Sequence, residues 1–146
     1  RRLAALAIAQ PAHPGRLAPG GVASPGAAPR SRGPGPGNGG TVTAEFFWMT
    51  NGTGTNPVLW GCAGRSYGDS ETLDQAWGTE QTVQDNGTTT ANQVLKSAAT
   101  SAITFAGTPA AGELVQYRVS RDPTSGSDTL AQTARLLGVC ITFTRA

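Results

Sequence analysis

The most informative stretch of the chain is Glu113-Leu114-Val115-Gln116-Tyr117-Arg118-Val119-Ser120-Arg121. Apolar residues recur at every second position and polar residues stand between them, which is the period of a half-buried antiparallel strand. A similar run closes the chain. Its predicted apolar face is Leu137, Val139, Ile141 and Phe143, opposite Gly138, Cys140, Thr142 and Thr144. Two such strands indicate an all-β fold.

Further strand candidates precede these two at short intervals, with Gly, Asn, Pro and Thr between them. They are residues 41–49, 57–63, 79–84, 93–97 and 102–106. Thr is the dominant polar residue here, with 19 copies in residues 41–146, and β-branched side chains favour extended chain. About seven closely spaced strands predict an antiparallel β-sandwich. Short helical turns are also expected at 70–77 and 128–134, each after a residue suited to capping.

Composition divides the chain of 146 residues into two segments. Residues 1–40 hold 7 of the 10 Pro, 9 of the 20 Gly, five Arg and no acidic residue, which is a net charge of +5. Residues 41–146 hold six basic and nine acidic residues, a net charge of −3. The first segment lacks the apolar periodicity that a packed core requires. We therefore predict an extended or disordered basic arm over 1–40 and one β-sandwich domain over 41–146.

The residue inventory argues against catalysis. The only histidine, His13, lies in the arm, so the sandwich has no imidazole for a general base, a catalytic triad or a histidine zinc site. Phosphate-binding glycine motifs are also missing. Asp69, Glu71 and Asp74 could supply two facing carboxylates, but no cleft signature accompanies them. The sequence therefore predicts a non-enzymatic protein with no catalytic residues, no metal site and no cofactor.

Three blocks near the end of the chain resemble the C-terminal signature of small tailed-phage virion proteins. They are Ala110-Ala111-Gly112-Glu113-Leu114-Val115-Gln116-Tyr117-Arg118-Val119-Ser120-Arg121-Asp122, Asp128-Thr129-Leu130-Ala131 and Ala134-Arg135-Leu136-Leu137-Gly138-Val139. Earlier residues follow a similar order, with an aromatic strand at 46–48 and a tryptophan strand at 59–61. The likeness covers about 41–146 and none of the arm.

This resemblance implies a jelly-roll-like sandwich that serves as a head-decoration, head-fibre or tail-appendage module and is commonly a homotrimer. Its implied partners are major capsid, neck or tail proteins, and its implied location is the virion. Thr133 departs from the pattern, because an acidic residue is expected before Ala134-Arg135. Arg135 is therefore expected to pair with Asp122 or Asp128 instead.

We interpret the arm as the attachment segment, with Arg16, Arg30 and Arg32 as candidate capsid contacts. Wide spacing of its arginines, without interleaved aromatics, argues against nucleic-acid binding. No apolar run approaches the about 20 residues that a membrane-spanning helix needs. The short run after Arg1-Arg2 resembles the end of a secretory signal, so a secreted protein is the alternative location.

Two further residue sets carry open alternatives. Cys62 and Cys140 are either buried small side chains or a disulfide, within the chain or between subunits. Trp60, Tyr67 and Trp77 are either core residues or an exposed aromatic platform for a receptor or carbohydrate. The oxygens around Asp122 and Asp128 are either a solvated loop or a Ca²⁺ loop, although they lack EF-hand spacing.

Overall fold

The computed structural model describes residues 40–144, so the predicted arm, with Arg16, Arg30 and Arg32, lies outside the described residues. Residues 40–144 contain seven strands and no helix. The strands are β1 (Val42–Thr50), β2 (Pro57–Tyr67), β3 (Gln81–Asn86), β4 (Leu95–Lys96), β5 (Phe105–Ala106), β6 (Leu114–Arg121) and β7 (Ala134–Phe143). Every predicted strand is present, and the expectation of an all-β fold is confirmed.

The strands form two sheets. The three-stranded sheet has the order β4-β1-β7. In the four-stranded sheet β2 is central, and β6 pairs with one of its edges. β3 pairs with the first part of the other edge, and β5 pairs with the same edge further along β2. All pairs are antiparallel except β2 with β5. These sheets make the predicted β-sandwich, whereas the jelly-roll pattern of connections stays a prediction.

The core lies between β1 and β2, and it follows from strict alternation of side chains along both strands. The buried apolar residues of these strands include Val42, Ala44, Phe46, Trp48, Val58, Trp60 and Cys62. Trp60 stacks on Phe46, with ring centroids 5.8 Å apart, and meets the edge of Trp48 at 6.2 Å. Aromatic rings in these arrangements attract one another beyond the burial of their area. This cluster joins the two sheets.

Residues 92–103 cover the edge of β1 that faces away from β7. Backbone N–H groups of Asn92, Ser97, Thr100 and Ile103 donate to successive β1 carbonyls at 2.8–3.0 Å. The hydroxyls of buried Ser97 and Thr100 accept bonds from the amides of Phe46 and Ala44. The segment then reaches β5 in the other sheet and closes this side of the sandwich. On the opposite side, β6 and β7 are edge strands with no further partner strand within residues 40–144.

A β-bulge in β7 overturns part of the predicted face pattern. Phe47 pairs with Gly138 and Trp48 with Leu136, so Leu137 is an extra residue between them. The bulge turns Leu137 outward, where it is 51% exposed, instead of into the core with Val139 and Ile141. Phe143 lies at the strand end and is 40% exposed. A bulge bends the strand and re-aims the neighbouring side chains.

Both predicted helical turns are wrong. Residues 70–77 form part of a loop whose carbonyls are bound by side chains of β2 rather than by helical amides. In 128–134, the side chain of Asp128 accepts bonds from Leu59 and Arg121, so it does not cap a helix. Tertiary contacts thus override the local propensity in both segments.

Candidate functional site

The loop of residues 68–80 covers the outer face of the four-stranded sheet. Arg65 donates from Nη1 to the carbonyl of Ala76 at 2.6 Å and from Nη2 to Gln75 Oε1. Tyr67 Oη donates to the carbonyl of Leu73 at 2.9 Å. The Arg65 guanidinium also lies 5.1 Å from the centre of the Tyr67 ring. Two neighbouring side chains of β2 therefore hold the loop against the sheet.

The second half of this loop is held by β6. The Arg118 guanidinium lies 5.6 Å from the centre of the Trp77 ring and 3.4 Å from Glu80 Oε2. Ser120 Oγ donates to the same carboxylate oxygen at 2.8 Å. A Cβ at Gly78 would collide with the carbonyl oxygen of Thr104, so only glycine allows the loop to approach this closely. The charged groups beneath the loop serve to fix it.

The three residues of the predicted aromatic platform do not come together on the surface. Trp60 is 4% exposed and points into the core, whereas Tyr67 is 4% exposed and lies beneath the loop. Their separation of seven positions along β2 places them on opposite faces of the strand. Trp77 is half-buried next to Arg118. The structure thus supports the core interpretation for Trp60 and assigns Tyr67 and Trp77 to loop packing.

The two cysteines are free thiols, one between the sheets and one on the outer surface, so no disulfide joins Cys62 to Cys140 in this structure. Cys62 lies in the core, and its burial, followed by the nearby Glu80 carboxylate, raises its pKa to about 12. A thiol in this environment is protonated and inert at neutral pH. Cys140 is exposed on the outer face of β7.

Asp128 and Arg121 form a clamp at the start of the β6–β7 connection. The Asp128 side chain is 1% exposed, and its two oxygens accept from Nε and Nη2 of Arg121 at 2.8 Å each. It also accepts the Leu59 amide at 3.1 Å, while Arg121 donates to the Leu130 carbonyl at 3.0 Å. Burial alone would raise the Asp128 pKa, but these bonds outweigh it and hold that pKa below its ordinary value.

This clamp changes two expectations about the loop. Arg135 does not take Asp128 as its partner; Arg121 does, and Arg135 is exposed. Asp122 accepts bonds from the amide and hydroxyl of Thr124 instead. Within residues 40–144, no group of three or more His, Cys, Asp or Glu side chains is placed to hold a metal ion. The loop is a solvated turn anchored by one buried ion pair.

The outer face of the three-stranded sheet contrasts with the covered face, and we call it the open face. It consists of Thr43, Glu45, Phe47 and Met49 of β1, Lys96 of β4, and Arg135, Leu137, Gly138, Cys140 and Thr142 of β7. Lys96 Nζ lies 2.8 Å from Glu45 and 5.7 Å from the centre of the Phe47 ring. Next to Phe47, the space above Gly138 is empty to at least 4 Å. The open face is therefore mixed, with five apolar and five polar or charged residues, and two of its three charged side chains pair with each other.

Sequence reasoning missed Leu137 as a surface residue. Gly138, a glycine within an otherwise regular strand, was the available signal, because an isolated glycine in a strand often marks a bulge. It also missed Arg65 as the residue that holds the loop. The residues that flank Arg65 in the sequence do not indicate that another segment covers this face of the sheet.

No family model, curated protein or solved structure matches this chain. Within residues 40–144, the structure contains no helix with the length and hydropathy needed to cross a membrane.

Proposed function

We propose that this protein is a non-enzymatic structural component of a phage virion, serving as a capsid decoration or cement protein or as a head-fibre module. The observation that carries the proposal is the position of the three blocks that resemble virion proteins. They form edge strand β6, the Arg121–Asp128 clamp and edge strand β7. The likeness therefore falls on the two edge strands and on the ion pair that anchors the connection between them.

The chemistry of the described residues fits an assembly role. The polar side chains of the four-stranded sheet bind its own covering loop, and the most buried carboxylate is paired with arginine. The open face instead mixes apolar side chains, Phe47, Met49 and Leu137 among them, with polar ones. Protein interfaces have a similar mixture, whereas small-molecule sites are concave and mostly apolar.

In this proposal the sandwich associates with copies of itself, as a homotrimer, and the arm attaches it to capsid, neck or tail proteins. A basic segment can cover a large area of a partner without a large rigid interface. Arg16, Arg30 and Arg32 are the proposed arm contacts, because they carry charge through its proline-rich part.

Deleting residues 1–38 is expected to abolish attachment to particles and to leave the β-sandwich folded. The measurement mixes purified full-length or truncated protein with particles that lack it and then separates bound from free protein by sedimentation. Far-ultraviolet circular dichroism of the truncated chain is the control for folding. Truncated protein that still co-sediments at the full-length level would contradict the role of the arm.

A further inference from the structure

We propose that Asn51 is a site of spontaneous deamidation, at which the Asn51–Gly52 peptide rearranges to aspartate and isoaspartate. The inference concerns the chemistry of the folded chain and does not rest on the proposed function. Asn-Gly dipeptides begin at Asn38, Asn51 and Asn86, and Asn38 lies outside the described residues. The other two have different surroundings, and that difference identifies the reactive one.

The reaction needs only the asparagine, the next backbone nitrogen and water. The nitrogen of Gly52 attacks Cγ of Asn51, so that an N–Cγ bond forms, the Cγ–Nδ2 bond breaks, and ammonia leaves with the amide proton. Water then opens the resulting succinimide ring at either carbonyl and gives aspartate or isoaspartate. One water is consumed and one ammonia is released, and nothing is oxidised or reduced. Glycine favours ring closure because it has no side chain and its backbone adopts unusual angles readily.

Asn51 lies immediately after β1, where few bonds hold the backbone. Its side chain is exposed, and residues 51–52 form a bend outside both sheets. Among residues 40–144, the only acceptor for the Gly52 amide is Thr50 Oγ1, at 3.3 Å. This distance is longer than the usual range for an N–H···O bond. Turning the Asn51 backbone until the Gly52 nitrogen faces Cγ therefore costs little.

Asn86 has an equally exposed side chain, but its backbone is fixed. It is the last residue of β3 and pairs with the first residue of β2. Beyond it, the Gly87 amide donates to the Asn56 carbonyl at 3.1 Å, and the Gly54 amide donates to the Thr88 carbonyl at 2.9 Å. A Cβ at Gly87 would lie 2.1 Å from the Gly54 carbonyl oxygen. Attack by the Gly87 nitrogen requires this backbone contact to open first, which slows the reaction.

The side chain of Gln132 restrains the bend that contains Asn51. Gln132 Nε2 donates to the Thr53 carbonyl at 3.1 Å. Its Cγ covers Gly52 and would lie 2.7 Å from a Cβ at that position. Gln132 Oε1 has no hydrogen-bond partner among the described residues, so the side chain holds the bend through Nε2 and Cγ. Without Gln132 the bend opens more often, and Asn51 reacts faster.

The product differs from the original chain in charge and in backbone length. Either acid adds one negative charge at the end of β1, and isoaspartate also adds one carbon to the main chain. The residue before it, Thr50, is fully buried, and its carbonyl accepts the Asn92 amide at 2.8 Å. Stored protein is therefore expected to accumulate a more acidic form that is altered where β1 ends.

The test follows purified full-length protein during incubation at neutral pH. Cleavage after glutamate places Asn51 in residues 46–71 and Asn86 in residues 81–113, and mass spectrometry measures the amide-to-acid change at each position. We expect Asn51 to deamidate at least about tenfold faster than Asn86.

Asn56 is the internal control for exposure. It is exposed in the same connection as Asn51 but precedes Pro57, which has no N–H and cannot supply the attacking nitrogen. Asn56 should therefore stay intact while Asn51 reacts. An Asn51 that stays as intact as Asn56, or that reacts no faster than Asn86, would overturn the inference.

Two further measurements identify the fold as the cause of the difference. In guanidinium chloride both dipeptides are released from their contacts, so Asn51 and Asn86 should react at similar rates. A difference that persists there would also overturn the inference, because the local sequence would then explain it. In the native protein, Gln132→Ala should speed the reaction of Asn51 and leave that of Asn86 unchanged. A variant that reacts no faster would contradict the restraint by Gln132, and none of these results alters the proposed function.

Discussion

Replacing Asp128 with alanine is expected to lower the free energy of unfolding by about 3–5 kcal/mol, the usual cost of removing one partner of a buried ion pair. The substitution leaves the Arg121 guanidinium next to an apolar methyl group. It also removes the acceptor of the Leu59 amide. Because the clamp joins β2, β6 and the start of the β6–β7 connection, its loss loosens the four-stranded sheet and the connection that leads to the other sheet. Urea unfolding monitored by tryptophan fluorescence measures the change.

Asp122→Ala is the matched control for this substitution. Asp122 lies six positions away in the same loop and is exposed, and its side chain accepts bonds only from nearby loop residues. Its replacement should change the free energy of unfolding by less than about 0.5 kcal/mol, as for an ordinary surface residue. If Asp128→Ala unfolds at the same urea concentration as Asp122→Ala, the clamp does not stabilise the sandwich.

The same carboxylate makes stability depend on pH. The folded-state pKa of Asp128 lies below its ordinary value, so protonation favours the unfolded chain. The stabilisation is therefore present above about pH 4, the ordinary range of an aspartate, and is lost as pH falls through the folded-state pKa. Asp128→Ala should weaken this dependence between neutral pH and about pH 3.

Replacing Trp60 with alanine is expected to cost about 3–5 kcal/mol, as for other truncations of large aromatic side chains in a core. Trp60 is 4% exposed and contacts both Phe46 and Trp48, so the variant leaves a cavity where the two sheets meet. The indole Nε1 of Trp60 has no hydrogen-bond partner among the described residues. Trp60→Phe should therefore cost clearly less than Trp60→Ala.

Trp48→Phe tests how much an indole hydrogen bond contributes to the free energy of unfolding. Trp48 Nε1 donates to Asp85 Oδ2 at 2.7 Å, so this variant loses a bond to a charged group, which is worth about 1.5–3 kcal/mol. Chemical denaturation ranks the three variants. A Trp60→Ala variant that keeps wild-type stability would contradict a core position and would reopen the interpretation of Trp60 as a ligand platform.

The strands were predictable because their residue patterns are local. Alternation in β1 and β6 directly reports which side chains face the core. The clamp was not predictable in the same way. Nothing in the sequence states that Asp128 contacts Leu59, which lies 69 positions earlier. The short strands β4 and β5 were predicted from their own residues, but their pairing with β1 and β2 was not.

The candidate site was less predictable than the fold. A single extra residue moved Leu137 from the predicted core face of β7 to the surface, because the side-chain period of a strand is two. Residues 70–77 had helical spacing, yet Arg65 and Tyr67 bind their carbonyls in a non-helical loop. Which sheet face stays open depends on where that loop lies, and this follows from tertiary contacts alone.

The most direct test of the proposed virion role is the copy number of this chain in purified particles from the organism that encodes it. Quantitative mass spectrometry with labelled peptides from residues 41–146 gives its ratio to the major capsid subunit. The proposal predicts a fixed ratio that is the same in independent preparations and is retained through density-gradient purification. Absence of the chain from particles, with the protein recovered only in the unassembled fraction, would contradict it.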